Sequence, residues 1–180
     1  VEVMGRDAGF IALHAGIAGG ADAILIPEIP FDLQAVADKI LERKRLGRFF
    51  SIVVVAEGAR ARSESGDLDG KNLRDRRLGR QVADELQELT GITARETVLG
   101  YLLRGGIPSA YDRVLCTRMG HHAVDLVERG DWNRLVVLRN REITSVPLEE
   151  ATRGTKQVDL EGDVVATARG VGIVFGDENS

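Results

Sequence analysis

Three short apolar runs set the limits on what this chain can fold into. Val1–Val3, Ala23–Ile26 and Phe49–Val55 each read as a strand, and a segment with helical spacing of apolar residues follows each, directly or after a loop. A continuous apolar run between helices suits a strand covered on both faces, an environment that a parallel sheet with helical crossovers supplies. The expected fold class is α/β: a three-layer, Rossmann-like, mainly parallel sheet with flanking helices. The first helix is expected over Phe10–Gly20, and Asp32 caps a second whose Leu33, Val36, Ile40 and Leu41 face inward. Its basic end, Arg43, Lys44, Arg45 and Arg48, matches the helix dipole without needing a ligand. Arg60–Arg76 reads as a polar surface loop and Leu78–Leu89 as an amphipathic helix ended by Gly91. Thr97–Leu103 is expected as another strand, delivering Arg104 to its end. A helix then runs from Pro108 and Ser109 through Leu126 until Gly130 stops it. Leu135–Leu138 and Glu142–Ser145 follow as short strands joined at Asn140. A short helix at Pro147–Ala151 and a strand near Val171–Phe175 complete the reading.

Composition narrows the partners more than the fold. With 180 residues, 43% apolar and 29% charged, the chain can bury a sizeable core. No apolar run approaches about 18 residues, so no membrane helix is expected, and a single cysteine fits a reducing cytosol, so the location expected is cytoplasmic. The net charge of −4 argues against a general nucleic-acid binder. Arginine outnumbers lysine 20 to 4, which fits either coding bias or a demand for bidentate anion contacts. The one cysteine, Cys116, excludes an internal disulfide and reads as a small buried apolar residue. His14, His121 and His122 have no metal-ligand spacing with cysteine or carboxylates, so no metal site is expected.

In an open α/β sheet, ligands collect beyond the carboxyl ends of the strands, where helix N-termini and their free amides face the crevice. Met4-Gly5-Arg6 follows the first run, Glu28 the second, Glu57 the third and Arg104 the fourth. Two arginines with a carboxylate at one edge suit a ligand that is both anionic and hydroxylated, such as a sugar phosphate. Independent loop charges fit the same spacing. No P-loop, G-x-G-x-x-G turn, aspartate-rich cluster or Ser/His/Asp order is found. The chain therefore reads as a binding half without a catalytic half. A non-catalytic sugar-phosphate-binding or assembly module stands as the alternative. Starting at Val1 inside a strand, it also reads as truncated at its N-terminus.

Five spaced motifs together resemble 6-phosphofructokinase. They are Val1-Glu2-Val3-Met4-Gly5-Arg6-Asp7-Ala8-Gly9, Gly19-Gly20-Ala21-Asp22, Ile26-Pro27-Glu28, Val55-Ala56-Glu57-Gly58 and the run from Leu99-Gly100-Tyr101 through Arg104-Gly105-Gly106 to Tyr111-Asp112-Arg113. They run in register with the C-terminal half of that family. The resemblance implies the C-terminal half of the phosphofructokinase fold, with residues 1–112 and about 165–180 in a sugar-phosphate lobe. Residues 113–164 would complete the donor lobe. It implies fructose 6-phosphate as substrate, held by Met4, Gly5 and Arg6, with Arg6 also catalytic beside the transferred phosphoryl group. Glu57 would accept from the sugar hydroxyls, and the segment Tyr111, Asp112 and Arg113 would grip the 6-phosphate through its arginine. Arg104 would reach a neighbouring subunit's site in a dimer or tetramer. Glu28 lies beside the site and is not carried over as a ligand.

The same resemblance places the catalytic aspartate, the donor loop and the ligands of the donor's Mg2+ before Val1, so the chain alone should not turn over. The length of Gly58–Arg76 and the Ala12–Gly16 stretch are similar to the branch that mixes ATP-dependent and pyrophosphate-dependent members, which leaves the donor open. Leu46 and Phe49 stand where the family's effector pocket has lysines. Asp22 and Arg48 keep some polar character there, as a vestigial effector site without nucleotide or phosphoenolpyruvate control.

Overall fold

A computed structural model of the chain describes residues 1–62 and 78–178. Two compact units emerge: Val1–Arg104 with Lys156–Ser180, and Gly105–Thr155. The chain thus leaves the first unit after Arg104 and re-enters it at Lys156.

The first unit is built on β1 (Glu2–Val3), β2 (Ala23–Leu25) and β3 (Val53–Ala56), paired in parallel in the order β1-β3-β2. Glu2 aligns with Val55 on one side of β3, and Leu25 with the same Val55 on the other. Single bridges extend the sheet at both edges, Val98 beside Glu2 and Val174 beside Ala23. Strand alternation sorts the apolar runs into two cores. Ile24, Ile26, Val54 and Ala56 join Leu13 of α1 (Phe10–Ala18) and Val165 and Ala168 of α6 (Asp163–Gly170) on one face. Ala23, Leu25 and Val55 pack on the other face with Val36 and Ala37 of α2 (Leu33–Arg45) and Val82 and Leu86 of α3 (Leu78–Thr90). That double cover is the three-layer α/β arrangement expected from unbroken apolar strands. Asp32 caps α2 as expected, accepting from the Gln34 amide at 2.8 Å.

Three expectations need correction. Thr97–Leu103 is not a strand: Val98 makes one bridge, then Gly100 takes φ +48° and the chain winds into a short 3-10 helix, Gly100–Arg104. A left-handed backbone at that glycine cannot continue a ladder. Near Val171–Phe175 only Val174 pairs, held between left-handed Gly172 and Gly176. The third strand is shorter than Phe49–Val55, because Phe49 and Phe50 are 87% and 75% exposed and precede the pairing at Val53. The expected loop Arg60–Arg76 lies outside the described residues from Ser63 onward.

The second unit consists of α4 (Ala110–Arg129), an antiparallel hairpin of β4 (Arg134–Arg139) and β5 (Glu142–Pro147), and the short α5 (Leu148–Ala151). The hairpin turns at Asn140 and Arg141, both left-handed, the geometry that matches strand twist in a two-residue loop. Gly130 ends α4 in the left-handed conformation, as expected of a C-terminal glycine. Cys116 on α4 is exposed rather than buried. Only Leu126 of that helix is buried, so its other apolar side chains do not enclose the thiol.

Candidate functional site at the carboxyl edge of the sheet

Parallel pairing brings the ends of β1 and β3 together. The Val3 carbonyl accepts from the Glu57 amide at 3.0 Å, and the Gly5 carbonyl accepts from the Gly58 amide at 3.0 Å. The Met4-Gly5-Arg6 turn therefore lies along Ala56-Glu57-Gly58. Gly58 is required by this approach: a Cβ built on it would stand 1.8 Å from the Arg6 carbonyl oxygen. The Glu57 side chain is exposed, with Oε1 3.4 Å from the Gly5 amide, so most of its acceptor capacity faces outward. Arg6 is exposed and makes no side-chain hydrogen bond or ion pair among the described residues. Arg104 reaches the same turn from the 3-10 helix, its Nε–H 3.3 Å from Met4 Sδ. Met4, Gly5, Arg6, Glu57 and Arg104 thus belong to one edge of one unit, with the Glu57 carboxylate on the Gly5 amide and the Arg104 side chain on Met4.

The α1 N-terminus behaves differently from the expectation of a free anion site. The Gly9 amide donates to both carboxylate oxygens of Glu28, at 3.0 Å each. Oε1 of the same carboxylate accepts from the Val158 amide at 2.9 Å. A carboxylate of the protein's own already sits at that positive helix end.

The phosphofructokinase family model matches residues 1–127. An ATP-dependent 6-phosphofructokinase of Chloroflexus aurantiacus is 50% identical over 99% of this chain and 50% of its own length. A pyrophosphate–fructose 6-phosphate 1-phosphotransferase of Streptomyces coelicolor is 48% identical over 98% of this chain and 52% of its own. This chain belongs to the phosphofructokinase family. Among solved structures, the pyrophosphate-dependent phosphofructokinase of Marinobacter aquaeolei superposes with a TM-score of 0.71 at 26% identity, covering 91% of this chain and 42% of that one. The Pichia pastoris phosphofructokinase in its T-state gives 0.66 at 35% identity, covering 83% and 17%. The chain spans about half the length of the curated relatives it matches.

The remaining expected residues have mixed placements. Tyr111, Asp112 and Arg113 belong to the second unit. Asp112 is engaged in a capping box, accepting from the Ser109 amide at 2.9 Å and hydroxyl at 2.8 Å, while Ser109 Oγ accepts from the Asp112 amide. Those hydrogen bonds from Ser109 hold its carboxyl below the ordinary aspartate value. Tyr111 is exposed, and Arg113 Nε donates to the Pro108 carbonyl at 3.4 Å. Asp22 is buried, with Oδ1 2.8 Å from Arg43 Nη1 and Oδ2 accepting from the Ile52 amide at 2.9 Å, so both oxygens hold the fold. Arg48 lines a groove of about 750 Å³ at the amino edge of the sheet, with Lys44, Phe49, Phe50 and Arg95. That groove lies at the opposite end of the strands from Arg6 and Glu57.

Sequence reasoning missed three participants. Gly58 carries no signal in the sequence beyond its place in a motif, Glu28 is indistinguishable there from other strand-end carboxylates, and Gln157, whose Nε2 donates to the Asp7 carbonyl at 3.0 Å, has no signal at all. Among the described residues no group of three or more His, Cys, Asp or Glu side chains could hold a metal ion.

Proposed function

We propose that this chain is the fructose 6-phosphate-binding part of a 6-phosphofructokinase, which moves a phosphoryl group from ATP or pyrophosphate to the 1-hydroxyl and yields fructose 1,6-bisphosphate. The observation that supports this reading is the hydrogen bonding of the Met4-Gly5-Arg6 turn along Ala56-Glu57-Gly58, which puts two exposed residues, Arg6 and Glu57, on adjacent strand ends. A carboxylate accepts from sugar hydroxyls, and a guanidinium neutralises charge that spreads over phosphoryl oxygens in a loose transition state. Met4 and Gly5 shape the turn against which the sugar would lie. In this reading Arg104 serves the site of a neighbouring subunit in a dimer or tetramer, and Arg113 grips the 6-phosphate, as the family resemblance implies. The base for the sugar hydroxyl and the donor site, with the Mg2+ that accompanies the donor, would come from outside the described residues. The isolated chain would therefore bind the sugar phosphate at best weakly and without turnover. Both donors appear in the names of similar relatives, so the donor is left as either.

Isothermal titration of the chain with fructose 6-phosphate, fructose and inorganic phosphate tests this reading. Fructose 6-phosphate is expected to bind more tightly than either part. Glu57→Gln and Arg6→Ala are each expected to weaken it about tenfold, the scale of one charge-assisted hydrogen bond. Binding unchanged by both substitutions would refute the assignment, and sugar phosphorylation by the chain alone would refute its inactivity.

A further inference from the structure

We infer that Glu28, assisted by Gln157, is a positioning residue that holds the Arg6 loop in its binding geometry. The inference rests on the reading of Arg6 as a sugar-phosphate ligand. The loop runs from Met4 to Gly9, and its β1 end is fixed by the pairing with β3. Its far end is fixed by Glu28, which stands in the turn after β2. Both oxygens of Glu28 accept from the Gly9 amide, and Oε1 also accepts from Val158, where the chain has just re-entered this unit. Two further contacts from the same returning segment reach the loop and the helix it opens. Gln157 Nε2 donates to the Asp7 carbonyl at 3.0 Å, and Lys156 Nζ lies 5.7 Å from the centroid of the Phe10 ring. Asp7 and Gly9 both follow Arg6 directly, one and three residues on, so these contacts hold the backbone on its C-terminal side. With Arg6 itself free of side-chain partners among the described residues, its placement depends on backbone held at both ends.

The arrangement also explains why a carboxylate sits so close to a site meant for an anion. Glu28 is directed into backbone amides rather than into the crevice, and two N–H groups, Gly9 shared between both oxygens and Val158 on Oε1, offset its charge locally. Removing it would leave the Gly9 and Val158 amides without these partners and release the far end of the loop.

A double-mutant cycle on fructose 6-phosphate affinity tests the inference, using the 180-residue chain as wild type, Glu28→Ala, Arg6→Ala and the double variant. If Glu28 acts through Arg6, Glu28→Ala weakens binding about tenfold in the wild-type background and adds less than about twofold once Arg6 is gone. Glu28→Gln, which keeps the oxygen that serves Val158, should fall between. Hydrogen exchange at the Gly9 amide should rise in Glu28→Ala, showing the loop released while the melting curve shows the fold retained. Gln157→Ala is the milder variant if Glu28→Ala does not fold, and it should show the same non-additivity with Arg6→Ala. Additive losses, or unchanged affinity with Gly9 exchange raised, overturn the positioning role. Failure of the wild-type chain to bind fructose 6-phosphate would overturn the proposed function itself, so the two failures are distinct.

Discussion

Gly58→Ala offers the sharpest test of how the candidate site is assembled. The added methyl would lie 1.8 Å from the Arg6 carbonyl oxygen, 2.6 Å from its carbonyl carbon and 2.9 Å from its Cα. All three are backbone atoms, so no side-chain rotation can relieve the overlap. The closest approach real side-chain carbons make is near 3.0 Å. The Arg6 backbone must therefore retreat by more than an ångström. The nearest bond to suffer is Gly58 N–H to the Gly5 carbonyl, now 3.0 Å, and the Gly5 amide contact to Glu57, already 3.4 Å, goes with it. Overpacking costs about 1–3 kcal/mol and the lost backbone bond about 1 kcal/mol more, giving about 2–4 kcal/mol in all. For a chain of this size that lowers the melting temperature by about 5–15 °C. Urea and thermal unfolding followed by circular dichroism would measure it, with Gly170→Ala as control, since a Cβ at the end of α6 meets nothing within 4 Å. Fructose 6-phosphate affinity should fall as well, because the retreat moves Arg6 away from Glu57. A Gly58→Ala chain with the wild-type midpoint and affinity would refute the close packing of the turn on the end of β3.

Other consequences follow from single contacts. Arg43→Ala strands the buried Asp22 carboxylate with only the Ile52 amide, and it should cost about 2–3 kcal/mol in urea unfolding, less than a fully buried pair because Arg43 is about a quarter exposed. The Arg169 guanidinium, 2.7 Å from Asp177, holds that carboxyl below the ordinary aspartate value. Stability from this pair is accordingly present above the unfolded-state value, about pH 4, and lost as pH falls through the lowered folded one. Asp177→Asn should flatten that part of the acid-unfolding profile, with a change under about 1 kcal/mol because both groups are partly solvated. Gly120→Ala, inside α4 with open space where its Cβ would go, should raise the stability of the second unit by about 0.5–1 kcal/mol in thermal melts.

The parts of the fold legible in the sequence are those where one local pattern has one physical meaning. Ala23–Ile26 could be read as a doubly covered strand because no residue in it offers a polar face, and the two cores confirm why. The Ser109 start of α4 was legible from its own side chain, and the carboxylate three residues on completes the cap. The run that Glu57 follows proves to be the central strand, as an apolar stretch without a polar face allows. Where local patterns conflict, the reading failed. Val98, Leu99, Leu102 and Leu103 look like a strand, yet Gly100 between them takes a conformation that no ladder tolerates, and its neighbours cannot report that. Cys116 followed an apolar helical stripe that the sequence cannot assign to a partner surface or to solvent.

Glu28 shows the other limit, where position along the chain carries no information about the partner. Its two amide partners lie 19 residues before it and 130 after it. By spacing alone Glu28 and Glu57 were equivalent, two carboxylates at neighbouring strand ends. The structure separates them by what each oxygen already holds. Glu28 has both oxygens committed to amides, whereas Glu57 has one long contact and otherwise faces outward. A carboxylate that has spent its acceptor capacity on backbone can fix a loop, and one that has not can still accept a hydroxyl. With the Gly9 amide occupied by Glu28, that N–H is not available to an outside anion, and under the proposed reading Arg6 supplies the charge instead.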